Sequence, residues 1–317
     1  MGAELTTSKL LAGKAALVTG GGRGIGRAIA LELAAHGAVV AVNDLGCDVE
    51  GRSPSDEQPA REVAELITAS GGQAIANCLS VSTFESAGSI VQSALDAFGR
   101  VDVLVNVAAN ARLGTIFDLD PMDWRDQIAV HLEGTFFTCR HAAPIMRAQG
   151  SGRIINMTSV AFLGSWGSPS YASAKAGVVG LTKAIATEGS FFGITANCLA
   201  PEAETRMQDY GRQLYTSGRR TEKNPNMPGP ATHDWQSVPG PEWVGPFAAY
   251  LASDAAAPIS GRVFSVRGAN IGLWSDPEER WWLPGKGQRT EPWSVDELAI
   301  RVPALIEQAS QASSATT

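Results

Sequence analysis

Long apolar runs are missing from this sequence. None approaches the ~20 residues a helix needs to cross a bilayer, so no membrane span is expected. Cysteine is scarce: the four residues at 47, 78, 139 and 198 form no close pair. That spacing excludes a dense disulfide framework and a paired zinc pattern, and it fits a reducing compartment. Basic residues are outnumbered, with 25 Lys and Arg against 32 Asp and Glu and a net charge of −7. Such a balance argues against nonspecific nucleic-acid binding. The opening residues "MGAELTTSKLLAGK" carry no secretory pattern, and the expectation is a cytoplasmic protein without a metal. Gly2 and Thr6 match a loose myristoylation pattern, but no basic patch or second lipid site accompanies them.

What is present suits a packed globule: 44% hydrophobic and 18% charged residues over 317 positions. From Lys14 onward, short apolar runs alternate with helical stretches. The runs at 15–19, 38–43, 73–78, 101–106, 153–158, 194–200 and 261–266 read as buried strands, the last of them final. Helices are expected at about 24–36, 58–70, 83–98, 121–149, 172–190 and 242–253. The alternation predicts an α/β fold, a doubly wound parallel sheet covered on both faces. One domain spans 12–270, followed by a tail at 271–317 in which Ser294 and Glu297 form a capping box for a short final helix. Residues 208–241 break the rhythm. Their prolines argue against a long continuous helix, and the stretch reads as a substrate lid.

The segment "VTGGGRGIGRAIA" (18–30) follows the first strand and opens a helix. Gly20, Gly24 and Gly26 permit a tight turn and a close backbone approach to a pyrophosphate, which the helix N-terminus attracts. Asp44, at the end of the second strand, can accept hydrogen bonds from both ribose hydroxyls and would repel a 2′-phosphate. Arg23 points the other way, because a guanidinium there can pair with that phosphate. Asp44 faces the ribose directly, so NAD is expected over NADP.

In "SYASAK" (170–175), Tyr171 and Lys175 are four apart and share one helix face. Alone, such a pair is ordinarily two surface neighbours. A nearby cation nevertheless lowers a phenol's pKa, which would suit a proton shuttle. Together with T-G-x-x-x-G-x-G at 19–26, "NVAA" at 106–109 and Ser159, the pair resembles the short-chain dehydrogenase/reductase family across about residues 12–270. "VNDLG", "VHLEGTFF", "LAPEAETRM" and "VRGANIGL" are similar to the (3R)-hydroxyacyl-CoA dehydrogenase unit of peroxisomal multifunctional enzymes and its bacterial relatives.

The resemblance implies a Rossmann-type oxidoreductase that transfers hydride between NAD and a secondary alcohol or ketone. Tyr171 would be the acid/base, Lys175 the ribose holder that lowers its pKa, and Ser159 the hydroxyl that binds the substrate oxygen, with Thr158 as rival. Cofactor contacts would come from Gly20, Arg23, Gly24, Ile25, Gly26, Asp44, Leu45, Ser80, Val81, Asn106 and Ala108. Tyr171, Lys175, Pro201, Ala203 and Thr205 would complete that set. The sequence departs from the family pattern at His131, commonly Asn, at Leu79, commonly Asp, and at Val107 and Ala109. The family's Asn supports a relay water through its backbone carbonyl, which His131 can also supply, so His131→Asn is expected to be tolerated. The resemblance also implies a homotetramer. Within the 208–241 stretch, Tyr210, Tyr215 and Trp235 could wall the substrate. Arg212, Arg219 and Arg220 could meet the phosphates of a CoA thioester or merely keep the loop soluble. A hydroxysteroid, terpenoid or cyclic alcohol remains open as substrate. So does a sensor or scaffold that binds NAD without turnover, although such a protein has no use for Ser, Tyr and Lys together.

Overall fold

Every residue of β1 (Ala15–Thr19) is buried, because helices cover both of its faces. The computed structural model describes residues 9–165, 167–216, 238–280, 283 and 292–314. Ala16 and Val18 pack with Ile29 and Leu33 of α1 (Gly24–Ala35), Ile67 of α2 (Gln58–Ala69) and Leu251 of α8 (Gly245–Ala252). Leu17 points the other way, toward Ile90 of α3 (Phe84–Phe98) and Ala142 and Met146 of α5 (Gly134–Gln149). The period of two along the strand thus sorts one short run into two cores.

The remaining strands are β2 (Val39–Asn43), β3 (Ala74–Asn77), β4 (Val103–Asn106), β5 (Gly152–Met157), β6 (Ile194–Pro201), β7 (Val263–Arg267) and β8 (Asn270–Leu273). They join β1 in one sheet of order β3-β2-β1-β4-β5-β6-β7-β8. All pairings through β7 are parallel, and β1 lies between β2 and β4. The chain winds one way from β1 to β3 and the other way from β4. Ligands bind at such a reversal, outside the carboxyl ends of the strands. This is the Rossmann-type, doubly wound α/β arrangement expected from the sequence.

Three features depart from expectation. The sheet does not end at β7, because a turn at Gly268 and Ala269 brings β8 back antiparallel to it. The predicted helix over 121–149 divides into α4 (Pro121–Ile128), a π-helical turn (Ala129–Glu133) and α5. The stretch read as a loop from 208 begins inside α7 (Arg206–Thr216). α6 (Pro169–Gly189) carries the Tyr-Lys pair.

The contacts divide the chain after Trp274 into two compact units. In the second, Ser294 and Glu297 form the capping box: Ser294 N–H donates to Glu297 Oε2 at 2.9 Å and Glu297 N–H to Ser294 Oγ at 3.2 Å. The helix it opens, α9 (Val295–Ser314), is 20 residues long rather than short. Among the described residues no helix is long and apolar enough to cross a membrane.

Candidate active site

The turn from β1 into α1 is closed by glycine for steric reasons. Gly24 has φ 51°, a left-handed conformation costly for other residues, and its missing Cβ leaves room before Thr205. A Cβ on Gly26 would run into the carbonyl oxygen of Gly20, so only glycine lets α1 start this close to the turn. The result is a backbone cradle at a helix N-terminus, which suits a pyrophosphate.

Asp44 directly follows β2 and is buried. Its Oδ2 accepts from Gly22 N–H at 2.9 Å and its Oδ1 from Gly46 N–H at 2.8 Å. A carboxylate has about four acceptor positions, so capacity remains for ribose hydroxyls. The Arg23 guanidinium uses a single nitrogen, Nη1, on the loop that follows Asp44. It donates to the carbonyls of Gly46 and Cys47 at 3.2 and 3.0 Å. Arg206, at the start of α7, donates to the same Cys47 oxygen at 2.8 Å. Burial and the Arg23 charge pull its pKa down. Nearby, Tyr210 of α7 donates to Glu50 Oε1 at 2.6 Å. Burial, together with Glu50, pushes that phenol up to about 12.

Ser159 and Thr158 both follow β5, and their partners separate them. Thr158 is buried and its hydroxyl donates to the Lys175 carbonyl at 2.9 Å, so it braces α6. The Ser159 hydroxyl accepts from Ala161 N–H at 3.3 Å and lies near enough to the Tyr171 phenol to lower its pKa. Lys175 is 4% exposed, and its Nζ donates to the Met157 carbonyl at 2.8 Å. Burial pulls its pKa to about 8. The sequence predicts a lowered phenol pKa at Tyr171, whereas burial raises it, opposed by the nearby Ser159 hydroxyl. Lys175 shares the predicted helix face, but its ammonium is directed at the end of β5 and not at the phenol oxygen.

His131 lies in the π-helical turn and is buried. Its backbone oxygen already accepts from the Thr135 hydroxyl at 2.7 Å. Burial and the Lys175 charge hold its imidazole pKa well below the usual value, so the ring is neutral.

Most of these groups border one cleft of about 1740 Å³. It gathers the glycine turn, Asp44, Leu45, Ser80, Val81, Ala108, Ser159, Tyr171, Lys175, Pro201, Ala203 and Thr205. Leu79 stands on the same wall. Asn106 does not line it. Its side chain donates to Asn156 at 2.9 Å and accepts from Thr138 at 2.7 Å, binding β4 to β5 and α5 beneath the cleft. His131 likewise stands behind the lining. Val160, Leu163, Leu113, Met207 and Tyr210 make the rest of the wall partly apolar. Arg212 is ion-paired with Glu204 and with Asp209 at 3.1 Å, contacts that compete with a phosphate role. Arg219, Arg220, Trp235 and the side chain of Tyr215 lie outside the described residues. Sequence reasoning missed Arg206, Glu50 and Met157 as partners. Arg206 meets Cys47 across 159 positions, a separation that leaves no local signal. Among the described residues no cluster of three or more His, Cys, Asp or Glu is arranged to hold a metal.

The sequence matches the family described as short chain dehydrogenase over residues 14–213. It is 35% identical over 260 residues to the peroxisomal hydratase-dehydrogenase-epimerase of Neurospora crassa, covering 82% of this chain and 26% of that protein. It is 37% identical over 268 residues to the 3-oxoacyl-[acyl-carrier-protein] reductase of Synechocystis, covering 82% and 98%. Among solved structures, a short chain dehydrogenase from Mycobacterium avium superposes with a TM-score of 0.77 at 35% identity, covering 94% and 96%. The chain spans about a quarter of the length of the multifunctional relatives it matches from Neurospora and Mus musculus, at 26% of each.

Proposed function

The chain belongs to the short chain dehydrogenase family, and from that premise we propose that it interconverts a secondary alcohol and a ketone using NAD. The observation that carries the proposal is a single cleft holding Ser159, Tyr171 and Lys175 together with the glycine turn and Asp44. In this reading Ser159 holds the substrate oxygen beside the phenol. Tyr171 takes the hydroxyl proton in oxidation and returns it in reduction. When bound, the nicotinamide supplies the hydride acceptor or donor. Lys175 contributes its charge and its hydrogen bonds to the ribose. The residues fit that cofactor because Gly24 puts no Cβ into the space before Thr205 and Gly26 lets α1 begin against the Gly20 carbonyl.

Asp44 supports NAD over NADP, since its remaining acceptor capacity suits ribose hydroxyls and its charge opposes a 2′-phosphate. Arg23 engages the Gly46 and Cys47 carbonyls through Nη1 alone, so the choice rests on Asp44. The substrate is a 3-hydroxyacyl thioester or a hydroxysteroid, terpenoid or cyclic alcohol. The relatives favour the first, while the ion pairs of Arg212 weaken one of its phosphate contacts. We read 208–241 as the substrate lid; its residues 217–237 lie outside the described residues, and of the described part Tyr210 donates to Glu50. The reading includes a homo-oligomer in a reducing, cytoplasmic setting, in keeping with four free cysteines.

The test is formation of the reduced cofactor, NADH or NADPH, across a panel of 3-hydroxyacyl-CoAs and uncharged secondary alcohols, run with NAD and with NADP. Steady turnover with NAD is expected. Absence of turnover with every member would overturn the enzymatic reading, and a preference for NADP would overturn the cofactor assignment.

A further inference from the structure

His131 connects two parts of the site that the sequence does not link. It is 1% exposed. Its Nε2 lies 2.9 Å from the carbonyl oxygen of Asn110, 3.2 Å from Asn110 Oδ1 and 3.1 Å from Asn110 N. One ring nitrogen either donates to the oxygens or accepts from the amide. Both arrangements tie the imidazole to Asn110, which lines the cleft in the segment after β4. The same ring meets Tyr171 edge to face, with centroids 5.2 Å apart and planes at 87°. Lys175 Nζ stands 5.6 Å from the centroid of that phenol ring.

A second tie runs alongside the first. Ser170 donates to Gln127 Oε1 at 2.5 Å, and Gln127 donates to the Asn110 carbonyl at 3.3 Å. Gln127 fastens the residue before Tyr171 to the segment after β4, and His131 fastens the phenol ring itself. An Asn at 131 is shorter and has no ring, so it cannot keep both contacts and leaves space beside the phenol. Edge-to-face pairs fix relative orientation as well as contributing energy.

We propose that the imidazole of His131 is a positioning residue that holds the Tyr171 ring in register with the 107–111 segment. It acts as a neutral group and carries no proton in the reaction. This rests on reading Tyr171 as the acid/base. It reverses the tolerance expected of His131→Asn from the family's use of a backbone carbonyl. Reaction rates are sensitive to placement, and an error of ~1 Å costs up to about 100-fold.

The experiment measures kcat, both KM values and the pH profile of kcat for wild type, His131→Asn, His131→Phe and Tyr171→Phe, using an alcohol that the wild type oxidises. His131→Asn should lower kcat about 10- to 100-fold, leave KM for NAD within about two-fold and leave the pH midpoint unchanged. His131→Phe keeps a ring against Tyr171 but loses Asn110, so it should recover part of that loss. His131→Asn with kcat within about two-fold of wild type would overturn the proposal. So would a shifted pH midpoint, which means that the imidazole itself titrates or relays. If His131→Asn does not fold, His131→Phe decides: wild-type kcat overturns the tie to Asn110, and a partial loss at unchanged KM for NAD supports it. Full activity in Tyr171→Phe would sink the acid/base reading instead, a result separable from any behaviour of the His131 variants.

Discussion

Lys175 Nζ lies 5.6 Å from the centroid of the Tyr171 ring, yet its hydrogen bond goes to the Met157 carbonyl at 2.8 Å. The tyrosine therefore has a cation beside its ring, and the Ser159 hydroxyl near its phenol opposes the burial that raises its pKa. If Tyr171 transfers the proton, Tyr171→Phe should lose turnover by at least about 100-fold, because general acid–base groups contribute on that scale. NAD affinity should stay within a few-fold. Steady-state kinetics with a separate NAD-binding titration checks both, and substantial residual activity would contradict the assignment.

Lys175 ties stability to pH. Its pKa falls from 10.5 to about 8 on burial. Between those values the unfolded chain binds more protons than the folded one, so stability rises with pH across that interval. Below the lower value the burial penalty is carried in full, on the order of 3 kcal/mol. Lys175→Met removes the penalty at every pH. The wild type should therefore gain on the variant by up to that amount as pH rises from 7 to 10.5, read by urea unfolding of both proteins. A difference that does not change with pH would show that the ammonium is not desolvated as the fold implies. The same variant should lose both rate and NAD affinity.

Asp44 decides the cofactor in this reading. Wild-type kcat/KM should favour NAD over NADP by a wide margin, and Asp44→Ala should narrow it by removing the charge that repels a 2′-phosphate. The variant also leaves Gly22 and Gly46 N–H without their acceptor. A cost of about 1–3 kcal/mol in stability should accompany the change, visible as a lower midpoint in thermal unfolding. Equal wild-type efficiency with both cofactors would show that Asp44 does not select.

Gly26 tests the cradle. A methyl group there meets the Gly20 carbonyl oxygen, which is backbone and cannot swing aside. Gly26→Ala should displace the turn from α1 and weaken NAD binding at least about 10-fold, in line with the geometric demand of the motif. Calorimetric titration with NAD measures this directly, and unchanged affinity would mean that the dinucleotide does not use this turn.

Much of the architecture and part of the site were determined by the sequence alone, because the signals are local. Burial on both faces makes strands such as "AALVT" continuously apolar, and that pattern survives without knowledge of any partner. The glycine turn, the acid after the second strand and the four-residue spacing of Tyr171 and Lys175 are likewise short-range geometry. The tertiary structure decided which polar group each candidate meets. Thr158 and Ser159 are adjacent and chemically alike, and only the position of the Lys175 carbonyl separates brace from site. Asn106 belongs to a recognisable motif, but its side chain is used by Asn156 and Thr138, 50 and 32 positions away. Helical spacing put Lys175 beside Tyr171, while the direction of its ammonium depended on where β5 ends. The π-helical turn that carries His131 to Asn110 has no sequence period of its own. Hydrophobic periodicity reports which face is buried. It does not report which donor finds which acceptor across the chain, and at this site that pairing sets the chemistry.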